Sequence, residues 1–75
     1  MNAMQQVVVD ARGLSHPEPM EKILAALANL APGQQVLFKI HREPYPLYRI
    51  LEQNRYEWKL TKQDDGSFEI LIWES

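Results

Sequence analysis

The chain has no cysteine. That excludes disulfides, thiolate metal ligands and any persulfide chemistry carried by its own side chains. It has no long apolar run either. Nothing approaches the roughly 20 residues of a membrane-spanning helix, and the N-terminus lacks the basic-then-apolar pattern of a secretory signal. Positive charge is not in excess: 8 Lys and Arg face 10 Asp and Glu, for a net charge of −2. A nucleic-acid binder usually shows a basic excess on one face, so that class is set aside. The expectation is a cytoplasmic protein that needs no cofactor, with no nucleic-acid or membrane partner.

What is present suits one small domain over residues 1–75. At 75 residues, 45% apolar and 24% charged, the chain is close to the lower size at which a core holds without disulfides or metal. Met1–Gln6 is polar and reads as frayed. Val7, Val8 and Val9 make a β-branched run without alternation, the pattern of a buried strand in a parallel pair, over Gln6–Asp10. Gly13 then permits a backbone conformation that other residues resist. Ser15 or His16 is the expected cap of a first helix, with Pro17 at its first position and Pro19 still inside the first turn. Glu18 and Glu21 lie where the helix dipole favours negative charge. Met20, Ile23, Leu24, Leu27 and Leu30 form one apolar stripe, and Pro32-Gly33 ends the helix.

A second strand is expected over Gln35–His41. A second helix follows from about Pro46 to Asn54, with Leu47, Ile50 and Leu51 on its apolar side and Asn54 in the left-handed conformation that ends a helix. Tyr56–Lys62 alternates, with Tyr56, Trp58 and Leu60 on one face and Glu57, Lys59 and Thr61 on the other. Asp64-Asp65-Gly66 is a hairpin turn. Ser67–Trp73 is the last strand, with Phe68, Ile70 and Ile72 inward and Leu71 and Trp73 outward. The first helix start, His16-Pro17-Glu18-Pro19-Met20, is echoed by Glu43-Pro44-Tyr45-Pro46-Leu47.

This order predicts an α+β fold: a two-layer sandwich, β-α-β-α-β-β, with a mixed four-stranded sheet. Right-handed crossovers place both helices on one sheet face. If the first two strands are parallel neighbours, both Pro-x-Pro turns share an edge. His16 and His41 then come from adjacent strand ends, with Arg12 and Arg42 nearby, where ligands of open α/β sheets usually sit.

Asp10-Ala11-Arg12-Gly13-Leu14-Ser15-His16-Pro17-Glu18-Pro19, an amphipathic helix and Leu30-Ala31-Pro32-Gly33-Gln34 resemble the TusA-like (SirA-like) sulfur-carrier family. The resemblance spans nearly the whole chain and implies that family's β-α-β-α-β-β fold. The family's motif is glycine, two variable residues, then Cys-Pro-x-Pro, and its cysteine carries a persulfide between sulfurtransferases. Here His16 holds the cysteine position, and an imidazole cannot hold a transferable sulfane sulfur. The chain is more similar still to a cysteine-less branch with Pro-Glu-Pro in the first turn and a segment like His41-Arg42-Glu43-Pro44-Tyr45-Pro46-Leu47 in the second. The resemblance implies a protein partner in redox, sulfur or nitrogen-oxide metabolism.

These readings point to a non-enzymatic protein-binding or adaptor module that docks through Leu14–Met20 and the start of the second helix. Its candidate residues are Arg12, Leu14, His16, Glu18, His41, Arg42 and Tyr45. No nucleophile with a base, and no paired acid and base, is apparent. The alternative is a small-ligand or metal site on His16 and His41. Two imidazoles are too few for a closed zinc site unless Asp10, Glu18 or Glu43 joins them. An anion held by Arg12, Arg42 and the histidines is a further possibility, against which Asp10 neutralises Arg12 and four prolines remove N–H donors from the turns.

Overall fold

The computed structural model describes residues 5–74; the expected fraying of Met1–Met4 lies outside the described residues. Six elements follow in order: β1 (Gln5–Asp10), α1 (Glu18–Ala28), β2 (Gln34–Ile40), α2 (Tyr45–Gln53), β3 (Tyr56–Lys62) and β4 (Phe68–Glu74). They build an α+β two-layer fold with a single four-stranded sheet in the order β1-β2-β4-β3. β1 and β2 run parallel, with Val7 beside Val36 and Val9 beside Phe38. β4 is antiparallel to both β2 and β3. The sheet is therefore mixed: α1 joins the neighbouring parallel strands β1 and β2, α2 crosses from β2 to β3, and the β3–β4 hairpin sets β4 between them.

Strand alternation decides what is buried. Val36, Phe38 and Ile40 of β2 meet Ile70 and Ile72 of β4 on the helix-covered face, and Ile23, Leu27, Leu47 and Leu51 close over them. Ala11 completes this core, held by its N–H to Lys39 O bond of 2.8 Å, which prolongs the parallel pairing beyond β1. The other sheet face carries no helix. Val8, Leu37 and Leu71 are cross-strand neighbours there, with Lys59 completing the row.

Several local expectations change. The Val7–Val9 run reads as doubly buried, but β1 is an edge strand and Val8, on the helix-free face, is 55% exposed. Leu24 flanks the apolar stripe of α1 and is 37% exposed. Leu60 shares its strand face with the half-buried Tyr56 and Trp58 and is itself 36% exposed, on edge strand β3. α1 starts one residue later than expected: Pro17 occupies the cap, and no side chain caps it. A cap side chain accepts from the second or third helical N–H. Pro19 is the second helical residue and has none, so the main chain closes the turn through Glu18 N–H to Ser15 O at 2.9 Å. At the end of α2, Asn54 has φ −104°, and Arg55 takes the left-handed conformation at φ 62°. The Asn54 side chain caps instead, donating from Nδ2 to Ile50 O at 2.8 Å.

The β3–β4 hairpin follows the expected turn. Gly66 has φ 90°, a region in which a Cβ is disfavoured. Asp65 Oδ1 accepts from both the N–H and the hydroxyl of Ser67, at 2.9 and 2.6 Å. These bonds hold the Asp65 carboxyl below its usual range.

Candidate functional site

Both Pro-x-Pro turns leave the sheet at the carboxyl ends of the parallel strands β1 and β2. Gly13, at φ 82°, turns the chain out of β1. Proline stands near the start of each helix, where its missing N–H costs no intrahelical bond. Between the two helix starts lies a cleft of about 480 Å³. Buried Ile23, Phe38, Ile40 and Leu47 are its floor. Leu14, Pro19, Met20, Pro44 and Pro46 line it further, and Gly13, Ser15, His16, His41, Arg42 and Glu43 supply its polar groups.

The polar groups are arranged unequally. His41 Nδ1 accepts from the Gly13 N–H at 3.4 Å, a long bond between the two turns. A neutral imidazole that accepts at Nδ1 carries its proton on Nε2, so His41 presents a donor there. Arg42 has no ion pair among the described residues. The Glu43 carboxylate accepts from the Tyr48 hydroxyl at 3.0 Å. That bond, after burial, pushes the Tyr48 hydroxyl well above its ordinary value, and a hydrogen bond to Glu43 also raises Tyr45. Tyr48 in turn stacks on Trp58, with ring centres 5.5 Å apart and planes 8° from parallel.

Four of the seven candidate residues, Leu14, His16, His41 and Arg42, line this cleft. Arg12 does not. Its guanidinium makes two bonds to Asp10, Nε to Oδ1 at 2.9 Å and Nη2 to Oδ2 at 2.8 Å, and the Arg12 N–H adds a third at 3.1 Å. Asp10 lies opposite Lys39 on the helix-free face, so the pair is turned away from the cleft. Glu18 is exposed in the first turn of α1, outside the lining. Tyr45 is 68% exposed beside the cleft and meets Tyr48 edge-on at 6.2 Å. Ile23, Phe38 and Ile40 lie outside the docking segments read from the sequence because their apolar spacing reads as core. The usable signal was the pairing of two Pro-x-Pro turns at one end of a parallel pair. No group of three or more His, Asp and Glu converges on a metal position among the described residues.

The Asp10–Arg12 pair gives a pH prediction. The Arg12 guanidinium and N–H hold the Asp10 carboxyl well below the usual carboxylate range. Its stabilising contribution is therefore present above about pH 4 and lost as pH falls through the lowered native value. In urea unfolding, wild type exceeds Asp10→Asn in stability at pH 6, and the gap closes toward pH 2. A gap independent of pH would show that the pair does not act through the carboxylate's charge.

No helix among the described residues is long and apolar enough to cross a membrane. No curated protein matches the sequence. A solved structure of a SirA-like protein from Desulfitobacterium hafniense is similar, with a TM-score of 0.76 and 25% identity, over 87% of this chain and 92% of that one. The likeness extends the SirA-like resemblance to the three-dimensional fold. Residues 8–74 match the family of uncharacterized conserved proteins designated DUF2249, and the chain belongs to that family.

Proposed function

We propose that the chain is a non-enzymatic binding module of the cytoplasm, a sulfur-carrier-like fold turned to recognition, and that the cleft between the two helix starts is its working site. The observation that carries this reading is the cleft itself: an apolar floor with two imidazoles, and a guanidinium without an ion pair among the described residues, at the end of the parallel strands. His16 stands where a carrier has its thiol, so the position contributes polar contact in place of a covalent bond. An adaptor role follows when a redox or sulfur-metabolism protein docks over the same turns. Tyr45, mostly exposed beside the cleft, then widens the contact. Aromatic side chains of this kind are favoured at protein interfaces.

Site-directed photocrosslinking in the native host tests the adaptor role. A crosslinker at Tyr45 is expected to capture a discrete partner, while one at Lys59 on the helix-free face does not. Leu14→Glu, which puts a charge into the cleft wall, is expected to abolish the Tyr45 crosslink. A partner captured from Lys59 and indifferent to Leu14→Glu would move the interface to the open sheet.

A second reading, a small molecule as the occupant, is favoured by volume. The cleft's roughly 480 Å³ falls within the range of about 300–1,000 Å³ usual for small-molecule sites.

A further inference from the structure

We propose that the cleft binds a small organic acid, an apolar body of aryl or branched aliphatic type bearing one carboxylate. The inference rests on the reading that the cleft is the working site, and it names the class of occupant. The apolar walls select the body. Leu14, Pro19, Met20, Pro44 and Pro46 offer carbon at the cleft surface, backed by the buried Ile23, Phe38, Ile40 and Leu47. A polar body placed against them would lose its hydration without a partner.

The rim selects the head. Arg42 lines the cleft and has no ion pair among the described residues. A guanidinium offers parallel N–H donors that match the two oxygens of a carboxylate. The tautomer set by Gly13 leaves His41 with a donor at Nε2. His16 lines the same cleft with a second imidazole. The one carboxylate in the lining, Glu43, is engaged by the Tyr48 hydroxyl at 3.0 Å. A cationic head would find Arg42 opposing it, and a neutral head would leave that guanidinium without a charged partner. Main-chain donors add little, since Pro17, Pro19, Pro44 and Pro46 have no N–H and the Gly13 N–H is directed to His41. Side chains therefore carry the recognition.

The test is a titration of the isotope-labelled full chain followed by NMR. The probes are 4-phenylbutanoate, 3-methylbutanoate and cyclohexanecarboxylate, each beside its primary amide, and a pentapeptide ending in leucine with a free or amidated C-terminus. The expected result is saturable shifts at Gly13, His16, His41 and Arg42 and in the methyl groups of Ile23 and Leu47. The acids bind about tenfold or more tightly than their amides, the scale of a charge-assisted bidentate contact. Arg42→Gln removes that advantage and brings the acid and amide affinities together. Since Arg42 is exposed, the variant keeps its fold.

Equal binding of acids and amides at the cleft would overturn the carboxylate assignment and leave the cleft as the working site. Absence of cleft shifts with every probe up to millimolar concentration would overturn both. Binding of the free-ended peptide at least tenfold tighter than any acid, lost on amidation, would overturn the small-molecule assignment and move the carboxylate to the end of a partner chain.

Discussion

Replacing Phe38 by alanine is expected to remove most of the domain's stability, about 3–5 kcal/mol. A chain of this length typically has only about 4–11 kcal/mol in total, at about 0.05–0.15 per residue. Phe38 is 1% exposed and is the largest fully buried side chain. It sits mid-strand in β2, between Val9 of β1 and Ile70 of β4, so both neighbouring strands pack on its ring's face of the sheet. It also forms part of the cleft floor, so truncation deepens an existing hollow where few groups can collapse inward. Phe38→Leu, which keeps most of the volume, is expected to cost less than about 1.5 kcal/mol. His16→Ala, an exposed rim change, is expected to stay within about 0.5 kcal/mol. Urea unfolding followed by the fluorescence of Trp58 and Trp73 separates the three. A Phe38→Ala midpoint no lower than that of His16→Ala would show that the β2 centre does not organise this core.

The architecture was legible because each element announced itself by a different physical signal. Met20, Ile23 and Leu27 recur at helical spacing, while Phe68, Ile70 and Ile72 alternate, and a helix layer packed on a sheet buries both sets together. The parallel pairing of β1 with β2 stood as a condition, since a helix between two strands permits adjacency without imposing it: α2 joins β2 to β3, and β4 lies between them. What escaped was set by neighbours. Val8 has the same side chain as Val7 and Val9, but its burial depends on a helix covering the other sheet face, which no local pattern reports. Arg55, and not Asn54, takes the left-handed conformation, because Asn54 meets the helix end with its side chain. No side chain caps α1, because a proline stands at the position whose N–H a capping serine would need. The convergence of His16, His41 and Arg42 on one cleft lay within reach, since adjacent parallel strands bring their following turns together. The floor did not, because Phe38 and Leu47 serve the core and the cleft with the same apolar surface. Arg12 was placed with the cleft residues by its position in the turn; its pairing with Asp10 takes it to the other face.

The second large effect is expected at Tyr48. This ring ties three elements: it stacks on Trp58 of β3, meets Tyr45 edge-on, and donates to Glu43 in the turn before α2. Tyr48→Ala is expected to cost about 2–4 kcal/mol, somewhat less than a fully buried aromatic truncation because Tyr48 is half-buried. Tyr48→Phe keeps the stack and loses one hydrogen bond, for about 0.5–1.5 kcal/mol. A double-mutant cycle with Trp58→Ala should give a coupling of about 0.5–1.5 kcal/mol for the ring pair. The hydroxyl adds a pH dependence. Burial first, and then the Glu43 carboxylate, raise the native Tyr48 value above that of the unfolded chain. The native state thus favours the neutral phenol. Its contribution is complete below about pH 10, the ordinary tyrosine value, and is lost as pH rises toward the raised native one. Wild-type stability should therefore fall above pH 10, and Tyr48→Phe should fall less steeply over the same range. Parallel alkaline profiles for the two proteins would remove Tyr48 as the cause, and a coupling near zero would show that the stack with Trp58 contributes only buried area. Because Glu43 also lines the cleft, the same cycle reports on the site. If Tyr48→Phe weakens carboxylate binding at the cleft, the hydroxyl's hold on Glu43 is what keeps a competing negative charge from the Arg42 guanidinium.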